Sequence, residues 1–283
     1  MPTFATPDAL TIVIDVSGVV LTLRAEDRDE TTVDLRPHNP ARAADVELAR
    51  RTTVDLVHNR LVIRSPRTAR ARLRSLFGGG DRVDLDIAVP TGSTLEVRGW
   101  GDLTSSGDLG AVDIDTAMGD IDLDSVGRIR AKTSAGDIRI ASAAGSADLR
   151  TSAGGIEVGH AGADVTANTS AGDVRVDEAL GDLRLSTSAG DVRVERATAS
   201  VSVKASAGDI RLQSVRSGSV TAESTYGRVE IGVVEGTAAW LDVEARHGVV
   251  RTELEDAPGP EESDETVELH ATTGYGDIIV RRA

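Results

Sequence analysis

The stretch TSAGDVRVDEALGDLRLSTSAGDVRV, residues 169–194, contains one phrase twice, at Thr169 and again at Thr187. Apolar residues alternate with polar ones inside it, as Val192 and Val194 do around Arg193, and Ile138 and Ile140 around Arg139 in an earlier copy. That two-residue period is a strand signal, and the 3.6-residue period of a helix is missing. The flanking Gly, Ser and Asp are turn residues.

Working outward, the phrase recurs as TAMGDIDL from Thr116, TSAGDIRI from Thr133, TSAGGIEV from Thr151 and ASAGDIRL from Ala205. Weaker copies are RGWGDLTS from Arg98, STYGRVEI from Ser224, ARHGVVRT from Ala245 and TGYGDIIV from Thr273. The turn glycines Gly101, Gly119, Gly136, Gly154, Gly172, Gly190, Gly208, Gly227, Gly248 and Gly276 are separated by 18, 17, 18, 18, 18, 18, 19, 21 and 28 residues. A second turn splits each unit, as at Gly127, Gly145, Gly181 and Gly218. Two short strands per unit, stacked in register on their equivalents, make an all-β, single-stranded parallel β-solenoid of about ten coils. At about 4.8 Å per coil it would extend on the order of 45 Å, and parallel crossovers favour the right-handed sense.

Residues 91–283 carry the repeats, with an acidic, proline-bearing insertion at 253–266, and the VELHATTGYGDIIV coil is expected to close the stack. Residues 1–90 lack the repeat but alternate in LTIVIDV, VVLTL and RVDLDIAV, which predicts a small antiparallel β-rich cap. Only 2% of residues are aromatic, so Val, Ile, Leu and Ala must build the core. Ala135, Ala153, Ala171, Ala189 and Ala207, each before a turn glycine, are expected to form an inward ladder of small side chains.

The net charge of −15 and the scarcity of aromatic platforms argue against a nucleic-acid partner. Without cysteine there is no disulfide, thiolate metal site or thiol nucleophile. The N-terminal MPTFATPDALTIVIDV has no basic segment followed by a long apolar run, and no stretch is apolar for about 18 residues, so a cytoplasmic location is expected.

The structural turns are Gly119–Asp120, Gly136–Asp137, Gly172–Asp173, Gly190–Asp191 and Gly208–Asp209. Carboxylates stacked roughly 5 Å apart would repel by about 3 kcal/mol per pair at an effective dielectric near 20. Arg139, Arg175, Arg193 and Arg211, two residues on, and backbone N–H groups are the expected compensation. Stacked Gly–Asp turns also bind calcium in nonapeptide solenoids, but one glycine per turn and competing arginines favour the structural reading. The histidines, His38, His58, His160, His247 and His270, lack ligand spacing, and no nucleophile elbow or phosphate loop occurs. No catalytic residue, metal, cofactor or small-molecule ligand is implied.

One segment breaks the acidic background. Within the loop at 64–82, Arg64, Arg67, Arg70, Arg72 and Arg74 accompany Leu76 and Phe77. It is a candidate interaction loop, either a solvated loop facing the acidic coils or a contact to an anionic membrane surface.

The TSAGD and GD-[IV]-R-[VI] repeats, VDLDIAVPTGSTLEV at 83–97, AAWLDVEARHG at 238–248 and TTGYGDIIVRR at 272–282 together resemble the actinobacterial adhesin-like family called domain of unknown function 4097, DUF4097. The resemblance covers essentially the whole chain. It implies a bacterial, β-helical, non-enzymatic protein and carries over no catalytic residues. The leading expectation is therefore an interaction or scaffold module that binds a protein partner or itself. Membrane association through the arginine loop and a β-helix carbohydrate enzyme are the alternatives.

Overall fold

The computed structural model describes residues 2–65, 80–254 and 265–283, about two thirds of them in strands. The chain forms two compact units, residues 1–136 and 137–283.

In the first unit one sheet runs in the order Thr3–Ala5, Glu30–Pro37, Val83–Pro90, Val19–Glu26, Leu103–Ser106, Ile121–Val126. The other runs Thr53–Val57, Arg60–Arg64, Thr11–Val16, Thr94–Gly99, Val112–Thr116, Ile129–Lys132. The expected antiparallel cap is only partly antiparallel. Thr11–Val16 pairs parallel with Arg60–Arg64 and Thr94–Gly99, and Val19–Glu26 pairs parallel with Val83–Pro90 and Leu103–Ser106. Antiparallel pairing is confined to the outer strands, where Glu30–Pro37 lies on Val83–Pro90 and Thr53–Val57 on Arg60–Arg64. The reason is burial: the first strands place Ile12, Ile14, Leu21 and Leu23 in the core at 1% exposure or less, so they are coil strands in composition as well as pairing. A helix at Ala43–Arg51, unforeseen from the sequence, buries Asp45, whose carboxylate accepts the backbone N–H groups of Asn39 at 3.1 Å and Arg82 at 3.0 Å.

In the second unit every pairing is parallel. One sheet is ordered Ile138–Ala143, Ile156–Ala161, Val174–Ala179, Val192–Ala197, Ile210–Val215, Val229–Val233, Ile278–Arg282, Val250–Thr252. The facing sheet is ordered Ala147–Arg150, Val165–Ala171, Leu183–Ala189, Val201–Ala207, Gly218–Tyr226, Thr266–Tyr275, Ala238–His247. Equivalent residues stack in register, with Val174 beside Val192 and Leu183 beside Val201. The interior is a narrow double row in which Val176, Val194 and Leu212 face residues such as Ala167, Leu185 and Val203, all 2% exposed or less. Each such valine or leucine withdrawn from water contributes about 1.5–3 kcal/mol, which lets a thin core hold without aromatics.

The order of the last coils corrects a second expectation. The coil of Thr266–Tyr275 and Ile278–Arg282 does not close the stack; it lies between the Gly218–Val233 coil and the coil of Ala238–His247 and Val250–Thr252. Motif quality explains the placement. The inner coil keeps Thr273 and Asp277, whereas the outermost has Ala245 and Val249 at the matching positions. Those two polar groups bond neighbouring coils, and a coil without a follower has no use for the aspartate.

Candidate functional site

The repeated corner is built by the turn glycines. Gly119, Gly136, Gly172, Gly190 and Gly208 all have positive φ, between 124° and 148°. A Cβ on Gly172 would lie 2.1 Å from the carbonyl oxygen of Gly154, one coil earlier, and one on Gly208 would lie 1.9 Å from that of Gly190. Both the left-handed backbone and the contact between coils therefore require glycine.

The aspartates after these glycines reach along the stack. Asp191 donates its backbone N–H to Asp173 Oδ1 at 2.8 Å, Asp209 donates to Asp191 Oδ1 at 2.8 Å, and Gly155 donates to Asp137 Oδ1 at 2.8 Å. The bond from Asp120 N–H to Asp102 Oδ1 is 3.2 Å. Charge-assisted bonds of this kind offset the repulsion within the ladder. The arginines share the task unevenly. Arg139 pairs with Asp137 and Arg211 with Asp209, but Arg175 turns to Asp177 at 2.8 Å and Arg193 to Glu195 at 2.6 Å. These pairs are well solvated and stabilise little individually. Among the described residues no group of three or more His, Asp or Glu side chains is arranged to hold a metal ion.

The alanine ladder faces the other way from expectation. Ala153, Ala171, Ala189 and Ala207 are exposed, because the chain leaves the strand's alternation as it enters the turn. The inward position belongs to the residue two places earlier: Thr133, Thr151, Thr169 and Thr187 are buried. Their hydroxyls had no distinguishing signal in the sequence beyond their phase. Thr169, Thr187, Ser224 and Thr273 donate to the carbonyls of Gly154, Gly172, Gly208 and Gly227 at 2.9, 3.0, 3.1 and 2.9 Å. Thus the polar groups that recur most often bond one coil to the next.

What departs from the repeat is displayed outward. At the corner before the turn glycine, Tyr226 and Tyr275 occupy the position that alanine holds elsewhere, and their rings stack at 5.1 Å with 7° between planes. His247 continues the stack at 4.6 Å from Tyr275. Trp240, on the outermost strand, is 72% exposed. Both tyrosines of the chain and one of its two tryptophans thus lie on the surface of the last coils. In the first unit, Arg82 lies over the Trp100 ring at 5.2 Å, beside His38, Arg42 and Met118. Arg64 ends its strand with an exposed side chain, while Arg67, Arg70, Arg72, Arg74, Leu76 and Phe77 lie outside the described residues. No helix among the described residues is long and apolar enough to cross a membrane.

Parallel coils held by glycine, aspartate and threonine ladders define a β-solenoid whose most regular polar groups bond one coil to the next. Within that class the chain belongs to the Toastrack DUF4097 family, which residues 10–282 match. Among solved structures it is similar to a proposed adhesin from Bacteroides fragilis at 13% identity, covering 99% of this chain and 95% of that one with a TM-score of 0.37. A proposed adhesin from Parabacteroides merdae is similar at 9% identity, with coverages of 99% and 94% and a TM-score of 0.32. A proposed cell adhesion protein from Clostridium sporogenes shows 10% identity, coverages of 99% and 94% and a TM-score of 0.22. No curated protein matches the chain.

Proposed function

We propose that the chain is a non-catalytic interaction module, adhesin-like in role, that binds a protein partner through the last coils of its second unit. The observation that carries this reading is the gathering of Tyr226, Tyr275 and Trp240 on the surface of those coils in a chain otherwise almost free of aromatics. Aromatic side chains offer large contact areas with few rotamers to freeze, and they dominate the centres of protein interfaces. The regular carboxylates and threonine hydroxyls are engaged in bonds between coils, which supports a scaffold role for the repeats and a recognition role for the exceptions.

The test is affinity capture from a bacterial lysate with the intact chain and with a Tyr226→Ala/Tyr275→Ala/Trp240→Ala variant of unchanged circular dichroism. Captured proteins should be lost with the variant. Equal capture by both forms overturns the reading.

A second reading rests on the arginines of segment 64–82, which are concentrated in an otherwise acidic chain. It predicts binding to anionic vesicles that Arg70→Ala/Arg72→Ala/Arg74→Ala abolishes. An intact chain that ignores such vesicles removes it.

A further inference from the structure

We infer that the outermost coil of the second unit docks onto a second copy of this chain, giving a closed two-fold dimer by antiparallel pairing of Ala238–His247 with itself. This rests on the reading of the last coils as an interaction surface and specifies one occupant for their open edge.

Among the described residues the coil has no neighbour on its outer side, though its side chains are those of an inner coil. Leu241 and Val250 stand in register with Leu269 and Ile278, which are fully buried, yet are themselves 36% and 39% exposed. Val249, at the corner, is 52% exposed. The strand Ala238–His247 ends its sheet and has one strand neighbour, Thr266–Tyr275; Val250–Thr252 likewise ends the facing sheet. The coil therefore presents two open backbone edges with apolar side chains between them. Natural edges are normally shielded by proline, inward charge, bulges or a covering element. Neither terminal strand contains proline, and their register with the inner coil is unbroken. The first unit, by contrast, closes its own outer coil with the antiparallel strands Glu30–Pro37 and Thr53–Val57.

The shape of the surface selects the occupant. A bound peptide would supply a single strand and leave the other edge and the apolar row uncovered. A second copy of the same coil brings two strands at the same spacing and an identical unmet row. Charge favours the antiparallel sense. The outward row of Ala238–His247 includes Asp242, Glu244 and Arg246; reversing one copy about Glu244 makes two Arg246–Asp242 pairs against one Glu244–Glu244 contact, whereas a parallel copy in register opposes like charges at all three positions. Such an interface is isologous and closes on itself, so it yields dimers and no filaments.

Area sets the strength. A ten-residue strand is about 33 Å long, and two sheets about 10 Å apart give an end face of about 330 Å² per copy, or about 660 Å² in total, the size of a weak, transient interface. Dissociation at micromolar concentration is expected. Because each copy carries a net charge of −15, added salt should tighten the dimer by screening repulsion.

Sedimentation velocity of the intact chain across about 1–200 μM, at low and moderate salt, provides the test. A monomer–dimer equilibrium that strengthens with salt, and that shifts at least tenfold toward monomer in both Leu241→Asp and Val250→Glu, is the expected result. Hydrogen exchange on the inner strand Thr266–Tyr275 shows whether each variant keeps its remaining coils, and Arg139→Ala, on an inner coil, should leave the dimer unchanged. A chain that stays monomeric throughout, or a dimer indifferent to both substitutions in folded protein, overturns the inference. A Tyr226→Ala/Tyr275→Ala variant, which leaves the strand Ala238–His247 unaltered, separates the two proposals: capture lost with the dimer intact supports both, and capture retained by a monomeric chain overturns the dimer alone.

Discussion

The hydroxyl of Thr187 donates to the carbonyl of Gly172, one coil earlier and fifteen residues back in sequence, at 3.0 Å. Thr187 is buried, and the part-buried bond satisfies a carbonyl at a corner where the turn diverts the chain from regular ladder pairing. It recurs up the second unit with one gap inside the stack, apart from Ala245 in the outermost coil. Ala205 stands in register between Thr187 and Ser224 and is 6% exposed, but has no hydroxyl.

Filling that gap should stabilise the protein. Ala205→Thr places a donor in the ladder facing the Gly190 carbonyl and is expected to raise stability by about 0.5–1.5 kcal/mol. Thr187→Val, which keeps the shape and removes the donor, should lower it by about 1 kcal/mol or more. Urea midpoints at constant slope measure both, and a destabilised Ala205→Thr protein refutes the ladder as an energetic device.

Two glycines separate backbone necessity from mere composition. Gly172 has positive φ, and a Cβ there would overlap the Gly154 carbonyl at 2.1 Å. Gly172→Ala should therefore cost more than about 3 kcal/mol, combining strain with a shift of the neighbouring coil. At Gly155 the nearest atom to a new Cβ is 3.4 Å away. Gly155→Asp restores the carboxylate missing from that repeat, able to accept the Asp173 N–H as Asp173 accepts that of Asp191. It should be neutral to stabilising by up to about 1 kcal/mol, since the new bond competes with added negative charge. Thermal denaturation of the two variants side by side checks the contrast.

The outermost coil should respond to pH through His270. Its imidazole contacts Asp242 on the outer strand at 3.2 Å and Glu268 on its own strand at 3.1 Å. Hydrogen bonding, first to Asp242 and then to Glu268, raises its pKa above the usual 6.5. A raised folded pKa means that the stabilisation is fully present below the unfolded value and is lost as pH rises through the folded one. Amides of Ala238–His247 should thus exchange faster, after correction for intrinsic rates, at about pH 9 than at about pH 6. His270→Ala should erase the difference, and a pH-independent outer strand in the intact protein would refute the coupling.

The surface pair Arg98–Asp113 offers a milder case. Two parallel bonds of 3.1 Å, from Nη1 and Nη2, join the guanidinium to the carboxylate, and that bonding holds the Asp113 carboxyl below its usual range. A depressed folded pKa gives stability that is present above the unfolded pKa and disappears as pH falls through the folded one. Asp113→Asn should lower stability by no more than about 1 kcal/mol near neutrality, because both groups are well solvated. It should have less effect below about pH 3. Denaturant midpoints at the two pH values provide the measurement.

The repeat determined most of this architecture by itself. A two-residue alternation of Val, Ile and Leu, punctuated every 18 residues by Gly–Asp, admits stacked short strands and little else, since shifting the alternation by one residue would turn every apolar side chain outward. The turn glycines and their aspartates were legible for the same reason. Three features were decided only by the tertiary structure. The buried side of TSAG depends on where the chain leaves the strand, so Thr187 faces inward and Ala189 outward although both precede the same glycine. The helix Ala43–Arg51 is held through the buried Asp45 and its bonds to Asn39 and Arg82, a long-range arrangement with no local signature. The order of the last coils depends on which coil can bond the one before it: Thr273 reaches Gly227, Ala245 has no hydroxyl to do so, and the competition between two similar coils for one edge is settled in space.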